Sequence, residues 1–305
     1  MLNVSRLIDR VRRETRNEDN TNTVASDSLS DEEFIDALND AQHRLQSVIS
    51  NVYSVLFEKQ AEFPVTIGLD EYTINDNVYL GNRIVCVEYT PVGNVADYRE
   101  LENRDIKERE ERSGIPNKYI RTSKKIIINP IPNIQTGKLR VTYEKHLSTL
   151  DKVRATVSSV GTPSGGQITI TLAASPDAKM AELIKGDYIT ILDTFGAVAI
   201  TNVRVVIISG VSLVIEEGDV VKGVNIDAGY QILIGKDATY TPDLPDICEP
   251  YLVAYACWQI FNRDDLVKAQ RAKERLALIE EGLAESFSME SKDVRYIPIF
   301  DKGYY

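Results

Sequence analysis

The sequence predicts an α+β protein: a discontinuous helical domain with a small mixed β region, plus an inserted all-β sandwich or barrel. Three observations predict it. Apolar residues recur every three or four positions near both ends of the chain, the mark of amphipathic helices. Between about Val153 and Ala238 the texture turns rich in Val, Ile, Thr and Gly, in short runs punctuated by Gly or Pro. Helical spacing then resumes, so one domain interrupts another.

The first helix is read from about Val4 to Arg16. Val4, Leu7, Ile8 and Val11 share a face, and Arg6, Arg10, Arg12, Arg13 and Arg16 occupy the remainder. The polar stretch "NEDNTNTVASDS" follows as a loop. The second helix opens at "LSDEEF". Ser30 and Glu33 have capping-box spacing, while Asp31 and Glu32 suit the positive end of the helix dipole. Phe34, Leu38, Ala41, Leu45, Val48, Val52 and Val55 carry its seam to about Phe57.

Next, "FPVTIGL" and "RIVCVEYTP" read as strands. Residues 98–112, "YRELENRDIKEREER", mix six acids with five bases at spacings of three and four, which predicts a solvated helix. "KKIIINPIPN" and "GKLRVTYEKH" predict a hairpin around Pro130, Pro132 and Gly137. Two helices and so small a sheet are expected to need a further layer from the C-terminal helices.

The inserted segment offers six strands: "ATVSSV", "QITITLAA", "DYITILD", "AVAITNVRVVIIS", "VSLVIEE" and "YQILIG". "SPDAKMAELIKGD" predicts a short helix and "GTPSGGQ" a β-turn, since it lacks the lysine of a phosphate loop. Asp246 then stands to cap a helix carrying Ile247, Tyr251, Ala254, Tyr255, Trp258 and Phe261. A last helix begins near Asp264 or Asp265, with Ala269, Ala272, Leu276, Ile279, Leu283 and Phe287 on one face. The expected domains are residues 1–152 with 239–290, an insertion over 153–238 and an extended arm over 291–305.

Composition narrows the function. A net charge of −11 leaves too little cation density for a sequence-specific DNA reader, though an acidic surface suits DNA that slides past without sticking. Cys86, Cys248 and Cys257 form no CxxC pair and read as buried reduced thiols. The opening "MLNVSRLIDRVRRE" lacks the apolar core of a signal peptide. The longest apolar run is broken by Arg204 and Gly210, so no membrane span is expected.

His43 and His146 have no partner at metal-ligand spacing. Asp193 in "DTFGA" stands alone, and helix capping accounts for Asp31, Glu32 and Glu33 without a bound cation. The reading assigns no catalytic residue, no metal and no cofactor. The segment "DVRYIPIFDKGYY" is different: Tyr296, Ile297, Ile299, Phe300, Tyr304 and Tyr305 crowd apolar and aromatic side chains where a chain ordinarily turns polar. Pro298 favours an extended conformation there. These six residues are the candidate partner-binding site; packing back on their own domain is the competing reading.

The order of motifs resembles a known family. "LIDRVRRETRNED" precedes "SDEEFIDALNDAQHRLQSVIS", a G-x-P-x-x-Y step at Gly114–Tyr119, a P-x-P turn at Pro130–Pro132, and "LPDICEPYLVAYACWQIFNRDD". This order, over roughly residues 1–152 and 239–290, resembles the head-to-tail adaptor (connector, head-completion or tail accessory) proteins of tailed bacteriophages. The resemblance implies a virion neck protein, assembled in the host cytoplasm as a ring of about twelve subunits beneath the portal. It implies a channel through which packaged DNA passes and a platform for the next tail or nozzle component. It implies no catalytic residues, and it places the arm on the portal or a neighbouring subunit. The alternative is a binding module whose β domain recognises a tail fibre or a carbohydrate on a helical scaffold.

Overall fold

The computed structural model describes residues 3–17, 29–73, 84–91, 98–109, 112–122, 125–133, 137–220 and 225–294. The chain divides into two compact units, residues 1–52 with 147–305 and residues 53–146. As expected, the fold is α+β.

In the larger unit, α1 (Val4–Asn17) begins where the Asn3 side chain accepts a hydrogen bond from the Arg6 amide at 2.9 Å. The capping box forms ahead of α2 (Asp31–Val52): the Glu33 carboxylate accepts from the Ser30 amide at 2.9 Å, and the Ser30 hydroxyl accepts from the Glu33 amide at 3.4 Å. Phe34, Leu38, Ala41 and Leu45 are buried as predicted. Further on the expected seam drifts off the buried face. Ile49 is buried, Val48 and Val52 are half-buried and Val55 is exposed. A helix turning every 3.6 residues gains on a seam written at shorter steps. The helix stops at Val52, and Ser54–Phe57 form a 3-10 turn.

The smaller unit holds β1 (Glu58–Pro64), β2 (Glu71–Thr73), β3 (Ile84–Thr90), β4 (Arg99–Glu100), β5 (Glu102–Arg104), β6 (Ser113–Gly114), β7 (Lys118–Arg121), β8 (Lys125–Asn129), β9 (Ile131–Pro132) and β10 (Lys138–Glu144). Two four-stranded sheets, ordered β1-β10-β3-β4 and β2-β8-β7-β5, bury Tyr72, Val87, Tyr89, Ile126, Ile128 and Leu139 in one core. That core is the unit's own, so the expected layer from the C-terminal helices is corrected for the sheets, whereas α1 and α2 do pack against the C-terminal helices as expected.

Three local expectations are also corrected here. The first strand lies at Glu58–Pro64, ahead of "VTIGL", because Ile67 and Gly68 turn the chain, with Gly68 at φ 78°. The described residues of 98–112 form no helix but short strands and a 3-10 turn at Ile106–Glu108. An amphipathic helix needs an apolar stripe, and Leu101 is the sole buried side chain among the described residues of that stretch. Its charges pair instead within the stretch and beyond it, Arg104 with Glu102 at 2.6 Å and Arg109 with the distant Asp70 at 2.6 Å. Finally, β8 and β10 exist but are not a hairpin; they sit in different sheets. Between them β9 pairs with β6, the Ile131 amide donating to the Arg112 carbonyl at 2.9 Å, which carries the chain away from β8.

Back in the larger unit, β11 (Thr149–Leu150) and β18 (Ala238–Thr239) pair in parallel at the two ends of the inserted segment. Between them all six expected strands form: β12 (Ala155–Val160), β13 (Gln167–Leu172), β14 (Tyr188–Leu192), β15 (Val198–Ser209), β16 (Ser212–Glu216) and β17 (Gln231–Ile234). They close into a barrel, ordered β12-β13-β16-β15-β14-β17, in which every strand has two neighbours and no edge is left open. Ile170, Ile189, Ile191, Leu213, Ile215 and Ile232 fill it. "GTPSGGQ" is the expected turn: Gly165 (φ 61°) and Gly166 (φ 78°) take the left-handed conformation that a tight hairpin requires. The short helix is α3 (Ala178–Ala181), capped by Asp177.

A 3-10 turn at Asp246–Cys248 leads into α4 (Glu249–Asp264), so Asp246 opens that turn rather than capping the helix, and Ile247 lies outside it and exposed. Burial of Tyr251, Leu252, Val253, Ala256, Cys257 and Ile260 makes α4 apolar nearly all round, because α1, α2 and α5 all pack on it. The Asp265 carboxylate accepts from the Val267 and Lys268 amides at 3.0 and 3.1 Å and starts α5 (Leu266–Val294). Ala269, Ala272, Leu276, Leu283 and Phe287 are buried along it as predicted. The helix runs to Val294, so residues 291–294 continue it instead of opening an arm.

Candidate interaction surfaces

The predicted partner-binding residues Tyr296, Ile297, Ile299, Phe300, Tyr304 and Tyr305 lie outside the described residues. Three features of the larger unit are on view, and the sequence reading named none of them as a site.

The first is an ion cluster at the start of α2. The Arg154 guanidinium, with no exposed side-chain surface, is gripped by three carboxylates. Both its terminal nitrogens donate to Glu32, one of them at 2.8 Å, its Nε donates to Asp151 at 2.9 Å, and its Nη1 donates to Asp177 at 3.0 Å. Asp151 also accepts from the Ile234 amide at 2.7 Å, and Asp177 from the Met180 amide at 2.8 Å. One guanidinium therefore joins the start of α2, the barrel strand β17 and the cap of α3. Burial opposes the charge on Arg154, but its hydrogen bonds to Glu32, Asp151 and Asp177 outweigh it and raise its pKa. The bond from Arg154 above all, helped by one from Lys179, brings Glu32 down to about 2.

Lys152 and Arg12 both bond Asp31, at 2.8 and 2.6 Å, and Lys179 bonds Glu32 at 2.8 Å. Glu33 receives Arg263 at 2.9 Å. The three acids at the start of α2 are thus filled by the protein's own cations. Two arginines of α1 are spent likewise: Arg10 pairs with Glu14 and Glu249, and Arg12 lies 4.9 Å over the Phe34 ring as well as on Asp31.

The second feature is a groove of about 220 Å³ between α1, α4 and α5. Its floor is apolar, with Cys257, Phe261 and Ala272; its rim carries Glu14, Arg271 and Arg275. Arg275 pairs with Glu14 at 3.1 Å, and Arg271 has no hydrogen-bond or ion-pair partner among the described residues.

The third is the tip of the β14–β15 hairpin. Phe195 is 95% exposed, the most open large apolar side chain among the described residues. The turn that carries it is braced. The Asp193 carboxylate accepts from the Phe195 and Ala197 amides at 2.8 and 2.9 Å, the Gly196 amide donates back to the Asp193 carbonyl, and Gly196 takes φ 83°. The Asp193 of "DTFGA" is therefore a turn brace, and its neighbour Phe195 is what it presents. The only sequence signal was an aromatic placed inside an Asp-x-x-Gly turn.

The family model described as "SU10 adaptor protein" matches residues 2–179, more than half of the chain. The chain belongs to the SU10 adaptor protein family, a family of phage head–tail adaptors. No curated protein matches it. The match to the SU10 adaptor model takes in α1, α2, the whole smaller unit, the first two barrel strands and α3 as far as Lys179. The Arg154 guanidinium, its three carboxylates Glu32, Asp151 and Asp177, and the cations Arg12, Lys152 and Lys179 fall inside it, while the supporting Met180 and Ile234 amides lie beyond. The role of the chain is that of a structural phage adaptor. No helix among the described residues is long and apolar enough to cross a membrane.

Proposed function

We propose that this SU10 adaptor forms a ring of about twelve copies below the portal in the neck of the virion, after assembly in the host cytoplasm. The ring extends the DNA channel and provides the platform for the next tail or nozzle component. Its work is positional, with no catalytic step, and DNA passes without sequence-specific contact. The observation that carries this reading is membership of the adaptor family across residues 2–179. The net charge of −11 supports a channel that repels the phosphate backbone.

Residues 153–238 act as a barrel guest on the helical domain of 1–152 and 239–290. The segment 295–305, beyond the end of α5, reaches the portal or a neighbouring subunit through Tyr296, Ile297, Ile299, Phe300, Tyr304 and Tyr305. The Arg154 cluster argues against a detachable binding module for a tail fibre or carbohydrate, because it ties the barrel to the first turn of α2.

Cryo-electron microscopy of the protein mixed with the portal of its own virus tests the proposal. A ring seated coaxially on the portal is expected, and removal of residues 295–305 should weaken its attachment. A protein that stays monomeric and does not bind the portal overturns the reading.

A further inference from the structure

The Phe195 side chain is 95% exposed, so any pocket it fills belongs to another molecule. Its loop, Asp193–Ala197, carries one charge, the Asp193 carboxylate, one oxygen of which serves the turn. An anion beside the ring disfavours stacking on a nucleic-acid base or insertion among anionic lipids, since both need cations alongside. An aromatic knob on a braced turn, with an adjacent carboxylate, fits a protein pocket with an apolar floor and a cation at its rim.

The groove on α1, α4 and α5 has those properties. Its volume of about 220 Å³ exceeds the roughly 150 Å³ that accepts a benzene ring in an apolar cavity. Phe261 offers a ring for edge-to-face contact, and Cys257 and Ala272 leave room beside it. Arg271, unpaired among the described residues, stands at the rim to meet the free oxygen of Asp193. Knob and groove are different surfaces, so their union is heterologous, the kind of contact that closes a ring.

We propose that Phe195 of one copy inserts into the Cys257–Phe261–Ala272 groove of the next, with Asp193 paired to Arg271, and that this contact joins neighbours in the ring. The inference rests on the ring reading and names its subunit contact.

The test places the photoreactive analogue p-benzoylphenylalanine at position 195 and illuminates the protein after assembly on the portal. Adducts between two copies at residues 254–275 are expected. Adducts only on the portal, on another surface, or none between copies overturn the contact. In parallel, Phe195→Ala and Arg271→Glu should keep the far-ultraviolet spectrum and melting curve of the parent while weakening ring assembly at least tenfold. Asp193→Asn, which keeps the turn brace and removes the charge, should weaken it less. Rings formed equally well by Phe195→Ala sink the contact and leave the ring reading standing; failure of the parent protein to form any ring sinks both. If removal of residues 295–305 abolishes assembly while Phe195→Ala does not, the arm and not the knob joins the copies, and the proposal fails.

Discussion

Arg154 holds Glu32 with both terminal nitrogens across a separation of 122 residues, joining the first turn of a helix to the threshold of a barrel. Buried charge is costly, and here it is tolerated because three carboxylates and further backbone donors satisfy it. Loss of the guanidinium strands Asp151, itself buried.

Arg154→Met is therefore expected to destabilise the larger unit by about 3–5 kcal/mol, the usual cost of orphaning one side of a buried pair. Chemical denaturation followed by far-ultraviolet circular dichroism measures this. A loss below about 1 kcal/mol would show that the cluster is incidental. Arg154→Met with Asp151→Asn together should recover part of the loss.

The acid limb of the stability curve follows from Glu32. Its folded pKa of about 2 lies below its ordinary value of 4.5. The stabilisation is thus complete above about pH 4.5 and is lost as pH falls toward 2. Solvent reaches part of the carboxylate, so its share is about 1–2 kcal/mol. Glu32→Gln should flatten the dependence of unfolding free energy on pH in that window. An unchanged slope would assign the acid sensitivity to other carboxylates.

Excision of the barrel needs care over where the cut falls. Joining Val153 to Ala238 removes Arg154 from both Asp151 and Glu32 and leaves Glu32 only Lys152 at 3.8 Å. That deletion should melt at a lower temperature than one in which Asp151 is also changed to Asn and Glu32 to Gln. Calorimetry on the two deletions distinguishes them, and equal melting temperatures would show that the cluster does not govern the junction.

Gly137 tests the smaller unit. A Cβ there would lie 2.8 Å from the Tyr89 ring and 2.9 Å from the Thr90 carbonyl oxygen. Gly137→Ala should cost about 1–3 kcal/mol through overpacking, read from its denaturation midpoint. A neutral result would mean that Tyr89 moves aside freely.

Thiol chemistry gives a simpler check. Burial lifts the Cys248 thiol to about 12, whereas Cys86 is half-buried on β3. Ellman's reagent should label Cys86 in the native protein and leave Cys248 unlabelled until denaturant is added. Rapid labelling of Cys248 in native buffer would contradict its place at the start of α4.

Much of this molecule was legible in the sequence. The amphipathic spacing from Val4, Phe34 and Ala269 marked α1, α2 and α5, and Ser30 with Glu33 marked the start of α2, because these signals are local to a turn or two of chain. The six barrel strands were legible for the same reason: alternating side chains and Gly-rich turns act between near neighbours. The order of motifs from "LIDRVRRE" to "LVAYA" pointed to the adaptor family.

Only the tertiary structure decided the partners. Nothing in the run at 98–112 revealed that one buried side chain, Leu101, was too little to anchor a helix, or that β8 and β10 would join different sheets. Nor did any local pattern link Arg154 to Glu32 or leave Phe195 standing free. Strand pairing, buried ion pairs and exposure depend on which distant segments meet, and that depends on packing the whole chain at once; spacing along the sequence records only what a residue does with its neighbours.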